Sequence, residues 1–150
     1  MPASNDNFLD GYLPYVLRRA DQTLSAPFYE VLTRRGVARS EWRLLAVLLD
    51  LGELSVLDLA EASLSPQPTV THALRRLEEQ QLVTRSPGTE DKRQRIAAIT
   101  PKGAKMTNEL IAEAQRLEAE ALANAGDLTS LVEELTQLTR RIERQSEPQQ

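Results

Sequence analysis

Helical spacing of apolar residues runs along most of this chain and gives way in one place. Between Leu82 and Ile99 two short runs, Leu82–Ser86 and Gln94–Ile99, read as strands joined by a Pro87-Gly88 turn and a charged loop. Four helical segments precede that hairpin and two follow it. The order predicts a mainly α fold with a small β-hairpin wing, and nothing in it repeats at the period of a solenoid. A length of 150 residues fits one domain able to bury its own core.

Helix signals place the pieces. Residues 8–35 carry Phe8, Tyr12, Tyr15, Val16, Leu24, Phe28, Val31 and Leu32 at helical spacing, with Pro14 and Pro27 inside the run. Each proline suits a helix start or kinks an interior, so one bent helix or two pieces is expected, ended by Gly36. Ser40 is read as the N-cap of a helix over Glu41–Leu51, with an apolar face of Trp42, Leu45, Leu48 and Leu49 and a stop at Gly52. Ser55-Val56-Leu57-Asp58 resembles a capping box opening a short helix to about Ala62. Pro66 suits the first turn of the next helix, which runs to about Gln80. Thr100-Pro101 opens another, with Leu110, Ala114, Leu117 and Ala121 on its apolar face. After Gly126-Asp127 the series Leu128, Leu131, Leu135, Leu138 and Ile142 forms a helix-packing seam of two to three heptads. Residues 1–7 and 146–150 read as frayed ends.

Charge then separates one segment from the rest. From Ser65 to Lys105 there are eight basic residues and four acidic ones, a local +4 in a chain of net charge −4, which leaves −8 on the other 109 residues. A basic island in an acidic chain calls for a polyanionic partner, and nucleic acid is the natural one, read below as a double-stranded DNA operator. On a helical wheel Val70, Leu74 and Leu77 fall inward, whereas Pro68, Thr71, His72, Arg75, Arg76 and Glu79 fall outward. Small hydroxyls, an imidazole and guanidiniums suit base edges and phosphates. With the short helix before it, this segment completes a helix-turn-helix. The hairpin adds a loop able to lay Arg93 or Arg95 along the minor groove.

Other classes fare worse. The chain has no cysteine, which excludes disulfides, thiolate metal sites and thiol sensing, and its one histidine leaves a metal site to carboxylates alone. No cofactor or metal is expected. No nucleophile is paired with a base, and no glycine loop cradles phosphate, so an enzyme is not expected. The competing reading is a winged helix docking an acidic protein; such a face would expose aromatic or aliphatic anchors, and this one carries hydroxyls and cations. No apolar run approaches membrane-spanning length and the first residues lack a secretion signal, so a cytoplasmic location is expected.

Several short stretches together resemble the MarR family of winged-helix transcriptional regulators. They are Ser40-Glu41-Trp42-Arg43-Leu44-Leu45, Leu59-Ala60-Glu61-Ala62, Gln67-Pro68-Thr69-Val70-Thr71, Arg76-Leu77-Glu78, Leu82-Val83-Thr84-Arg85, Asp91-Lys92-Arg93 and Ile99-Thr100-Pro101-Lys102-Gly103. The resemblance covers roughly residues 8–145. It implies a single domain over 1–150, with a winged helix-turn-helix core at 40–100 flanked by dimerisation helices at 8–36 and 101–145. It also implies a homodimer on a pseudo-palindromic operator, usually a repressor released by a small, often phenolic or otherwise anionic, ligand. The recognition helix, about 66–80, would enter the major groove and the wing, about 87–95, the minor groove. On that reading Gln67, Pro68, Thr69, Thr71, His72, Arg75, Arg76, Lys92, Arg93 and Arg95 are the DNA-binding candidates, Arg93 being the wing-tip arginine and Asp91 the acid that orients it.

Two departures stand out. His72 replaces the family's usual cation, and an imidazole changes charge near neutrality. Gln81 stands where the family usually has glycine. A left-handed backbone there costs a non-glycine residue roughly 1 kcal/mol, so the recognition helix is expected to end differently.

Dimer and ligand follow with less detail. Leu128, Leu131, Leu135, Leu138 and Ile142 are the candidate dimerisation residues. The family's pocket commonly lies between the dimerisation helices and the winged helix, and Tyr12, Tyr15, Arg19, Trp42 and Arg43 sit on the helices expected to border it. Stacking and a guanidinium would suit an anionic aromatic ligand. The same residues read equally well as core aromatics and surface cations.

Overall fold

The computed structural model describes residues 7–146, so most of both expected frayed ends, residues 1–6 and 147–150, lies outside the described residues. The N-terminal segment forms two pieces, α1 (Phe8–Gly11) and α2 (Leu13–Arg34), separated by an extended Tyr12 at φ −86°. Pro14 occupies the first turn of α2, where its missing N–H costs nothing, and Pro27 is accommodated in the interior. Gly36, at φ +67°, follows the end of α2.

Helix α3 (Arg39–Leu51) begins two residues earlier than Ser40 predicted, and Ser40 is not its cap. The Glu41 side chain reaches back so that its Oε2 accepts the Ala38 N–H at 2.9 Å. A carboxylate at the third helical position satisfies that orphan donor, and so the helix start is set by Glu41. In α4 (Val56–Ala62) the predicted cap holds: Ser55 Oγ accepts the Asp58 N–H at 3.1 Å and donates to Asp58 Oδ2 at 2.8 Å. Helix α5 (Gln67–Glu79) starts just after Pro66, with Pro68 inside its first turn.

Three antiparallel strands follow the order β1-β3-β2, where β1 is Leu54–Ser55, β2 is Val83–Pro87 and β3 is Arg95–Ile99. The hairpin pairs Val83 with Ile99 through to Pro87 with Arg95. β1 adds only Leu54 opposite Ala97 and Ser55 opposite Ile96, a strand too short to alternate visibly in sequence. Helix α6 (Pro101–Ala121) is capped by Thr100, whose Oγ1 accepts the Gly103 N–H at 3.0 Å and donates to the Gln81 carbonyl at 2.7 Å. Helix α7 (Thr129–Ser146) closes the described chain.

The chain divides into two compact units with the boundary after Glu118. In the first, one core joins Leu44, Leu45 and Leu48 of α3 to Leu59, to Val70, Ala73, Leu74 and Leu77 of α5, and to Leu82, Val83 and Ala97 of the hairpin. A second cluster gathers Phe28, Val31, Leu32, Val37 and Leu110, with Trp42 edge-on to Phe28 at 4.9 Å between ring centroids. The second unit contains α7, none of whose residues is buried.

Two helix ends turn on residues that are not glycine. Gln81 has φ +61°, with its N–H donating to Glu78 O and that of Leu82 to Leu77 O, both at 2.9 Å. These are the paired bonds of a Schellman end. The expectation that α5 would end differently is therefore corrected: the left-handed turn is kept with glutamine in it. Thr100 on the Gln81 carbonyl and Lys102 Nζ on the Gln80 carbonyl, at 3.0 Å, help hold it. Leu64, at φ +54° and 89% exposed, makes the corresponding turn between α4 and α5. Gly103 is required for another reason: a Cβ there would stand 2.1 Å from the Leu82 carbonyl oxygen.

Candidate nucleic-acid interface

The inward face of α5 is apolar and fully used by the core, which fixes which side chains face out. Pro68, Thr71, His72, Arg75, Arg76 and Glu79 are exposed, as the wheel predicted; Gln67 and Thr69 are exposed too, and so are Lys92, Arg93 and Arg95 of the wing. Gln67, Pro68, Thr71, His72 and Arg75 line an open concavity of about 670 Å³ together with Arg85. A second one, of about 270 Å³, shares Gln67, Thr71 and Arg85 and adds Arg93, Gln94 and Arg95 from the wing. The outer face of the helix and the wing thus border one continuous cationic surface.

Arg85 was counted in the basic island but not among the site candidates. It lies on β2 and lines both concavities, with 20% of its side chain exposed. Its Nε and Nη2 both donate to Glu78 Oε2, at 3.1 and 2.7 Å. That hydrogen bonding, against a smaller opposing effect of desolvation, holds the Glu78 carboxyl below its ordinary value. The sequence signal was present as Glu78 and Arg85, but only the turn from α5 into β2 brings positions seven apart into contact.

The wing tip is organised by its own backbone. Asp91 Oδ1 accepts the Arg93 backbone N–H at 2.9 Å, so the acid shapes the loop that carries Arg93. The Gly88 N–H donates to Gln94 O at 2.8 Å, and a Cβ at Gly88 would lie 2.6 Å from the Asp91 carbonyl oxygen. Arg76 differs from its neighbours: its Nε lies 3.0 Å from Glu41 Oε1, with half of its side chain still exposed.

The other candidates are more dispersed. Of the five proposed ligand residues, Trp42 lines a groove of about 280 Å³ with Leu24, Phe28 and Ile111. Tyr12 is exposed and stacked on Phe8 at 4.8 Å, and Tyr15, Arg19 and Arg43 are exposed. Leu131 and Ile142 of α7 are exposed, whereas Leu128, Leu135 and Leu138 are half-buried. Among the described residues no group of three or more His, Asp or Glu side chains is placed to hold a metal ion, and no helix is long and apolar enough to cross a membrane.

Comparison with known proteins places this geometry. Residues 37–94 match the model of the MarR family. The chain is 30% identical over 94 residues to the HTH-type transcriptional regulator FarR of Neisseria gonorrhoeae, an alignment covering 63% of this chain and 64% of FarR, just under two thirds of that relative. A MarR family transcriptional regulator from Silicibacter pomeroyi shares the fold with TM-score 0.79 and 27% identity over 97% of each chain. NadR, solved in complex with 4-hydroxyphenylacetate, superposes with TM-score 0.76 and 25% identity, covering 95% of this chain and 97% of NadR. The matched segment, the shared architecture and the cationic helix-and-wing surface agree: the chain is similar to MarR family transcriptional regulators, in sequence over residues 37–94 and in fold along its length.

Proposed function

We propose that this protein is a homodimeric, sequence-specific DNA-binding regulator that represses transcription until a small anionic aromatic ligand releases it. One observation carries the DNA reading: Gln67 and Thr71 of α5 share a concavity with Arg93, Gln94 and Arg95 of the wing. That arrangement suits a duplex, with α5 in the major groove and the Arg93 loop on the adjacent minor groove. Gln67, Pro68, Thr69, Thr71, His72 and Arg75 face base edges and phosphates, and Lys92, Arg93 and Arg95 supply the wing's charge. Binding is stoichiometric recognition without chemistry, so the protein is not an enzyme and works in the cytoplasm beside its target genes.

Two subunits are needed because one α5 reads one half-site, and a pseudo-palindrome presents two about one DNA turn apart. The exposed apolar residues of α1, the first turns of α2, and α7 are the surfaces for that pairing. The ligand class rests on Trp42 in the groove beside α3 and on the phenolic acid held by NadR. Tyr12, Tyr15, Arg19 and Arg43 would join the site in the paired molecule.

The test is fluorescence anisotropy with duplexes selected from a random library by the wild-type protein. Binding should weaken steeply as salt rises, with a slope reflecting several phosphates. Arg93→Glu should lower affinity by about tenfold or more, since it replaces an attraction to phosphate-rich DNA with repulsion. Unchanged affinity would remove the wing from the mechanism, and no binding at low salt would sink the DNA reading as a whole.

A further inference from the structure

Among the described residues Glu41 is the one ionisable side chain buried from solvent, at 1% exposure. Its oxygens are engaged differently. Oε2 takes the Ala38 N–H, which fixes the start of α3. Oε1 has no hydrogen-bond partner and lies 3.0 Å from Nε of Arg76, at ion-pair distance but without hydrogen-bond alignment. A buried carboxylate is costly without a nearby cation, so Arg76 is held where Glu41 needs it. Its charge is then largely balanced before any phosphate approaches. Arg75, its neighbour in sequence, lines the open concavity of the outer face with Thr71 and His72.

We infer that Arg76 is not a phosphate contact but the peg through which Glu41 sets the position of α5, making Glu41 a specificity-determining residue acting through Arg76. This rests on the reading of α5 as the helix that faces DNA. Base-edge hydrogen bonds fail when a helix shifts by a fraction of an ångström to an ångström, whereas attraction to phosphates tolerates such shifts. Loss of the peg therefore costs discrimination first. Freeing the guanidinium also adds one sequence-blind contact.

The experiment measures affinity against salt for a duplex selected by the wild-type protein and for a scrambled duplex of the same composition. Glu41→Gln keeps an oxygen for the Ala38 N–H while removing the charge. It should steepen the salt slope by about one, as Arg76 becomes free to reach a phosphate. It should also reduce the selected-to-scrambled affinity ratio by about tenfold. Arg76→Gln should lower the same ratio with the slope unchanged, whereas Arg75→Gln should lower the slope by about one. If either single variant fails to melt cooperatively, the neutral pair E41Q/R76Q gives the same readout, with a wild-type slope and a reduced ratio. A slope lowered by about one in Arg76→Gln or in the double variant overturns the inference, as does an unchanged ratio in Glu41→Gln. Wild-type protein that binds neither duplex removes the reading of α5 itself, a distinct result.

Discussion

The winged helix and the helices flanking it differ in what they leave facing outward. In the winged helix the large apolar side chains are mostly spent: Leu45, Leu59, Val70, Leu74 and Leu77 are each 0% exposed. What remains outside on α5 and the wing is mainly polar or cationic. On α1, on the first turns of α2 and on α7 the balance reverses, with Phe8 73%, Leu13 47%, Val132 63% and Ile142 53% exposed. The first region has completed its folding and presents charge; the second presents the apolar surface that a partner would cover. The difference is one of exposed chemistry, charge on the first region and apolar side chains on the second, and stability measurements can separate them.

Core truncation gives the largest effect. Leu74→Ala removes a fully buried side chain from the inward face of α5 and should destabilise the fold by about 3 kcal/mol in urea unfolding. Leu131→Ala with Ile142→Ala removes side chains that are about half exposed, and should cost under about 1 kcal/mol at protein concentrations where the chain is monomeric. The same pair should weaken self-association in sedimentation. If the α7 pair proves as destabilising as Leu74→Ala under those conditions, the contrast between the two regions is wrong.

The end of α5 sharpens the contrast on a finer scale, because there the winged helix accepts strain. Gln81 holds φ +61°, its carbonyl accepting from Thr100 Oγ1 and its N–H donating to the Glu78 carbonyl of α5. Relieving the left-handed turn with Gln81→Gly gains about 1–2 kcal/mol in the folded state, but glycine also loosens the unfolded chain by about 0.4–1 kcal/mol. A net stabilisation of about 0.7 kcal/mol is the expected outcome of thermal melts. A loss of stability would mean that the glutamine side chain contributes something the backbone geometry does not reveal.

These cases also mark what was legible in the sequence. Helix order, hairpin, the Ser55 cap and both faces of α5 could be read, because periodicity and capping act within one or two turns of a residue. One local cap was misread, and two features depended on contacts across the fold. The start of α3 was assigned to Ser40 because serine is the stronger capping residue, yet the Glu41 carboxylate decides it. β1 has too few residues to carry a pattern and exists because β3 lies beside it. Arg76 looked like one more cation on an outward face; its pairing with a buried acid from α3 follows from the packing of two helices 35 positions apart in the chain. The candidate ligand residues were placed by resemblance alone, and of them Trp42 alone lines the groove; Tyr12, Tyr15 and Arg19 near the start of α2 and Arg43 on α3 are exposed.

The smallest predicted effect concerns the ion pair between α5 and β2, on the polar side of the winged helix. Arg85 donates twice to Glu78 Oε2 and holds that carboxyl below its ordinary value of about 4.5. A depressed folded-state value means that the folded protein releases this proton more readily than the unfolded chain does. The stabilisation is therefore complete above the ordinary glutamate range and is lost as pH falls through and below it. With 40% of the Glu78 side chain exposed, solvent screens most of the attraction, and the contribution is on the order of a few tenths of a kcal/mol. Glu78→Gln should lower stability by that amount at neutral pH and leave it unchanged well below the glutamate range, where the wild-type acid is also neutral. A difference between the two proteins that persisted undiminished in acid would show that Glu78 acts through packing against Arg85 and not through its charge.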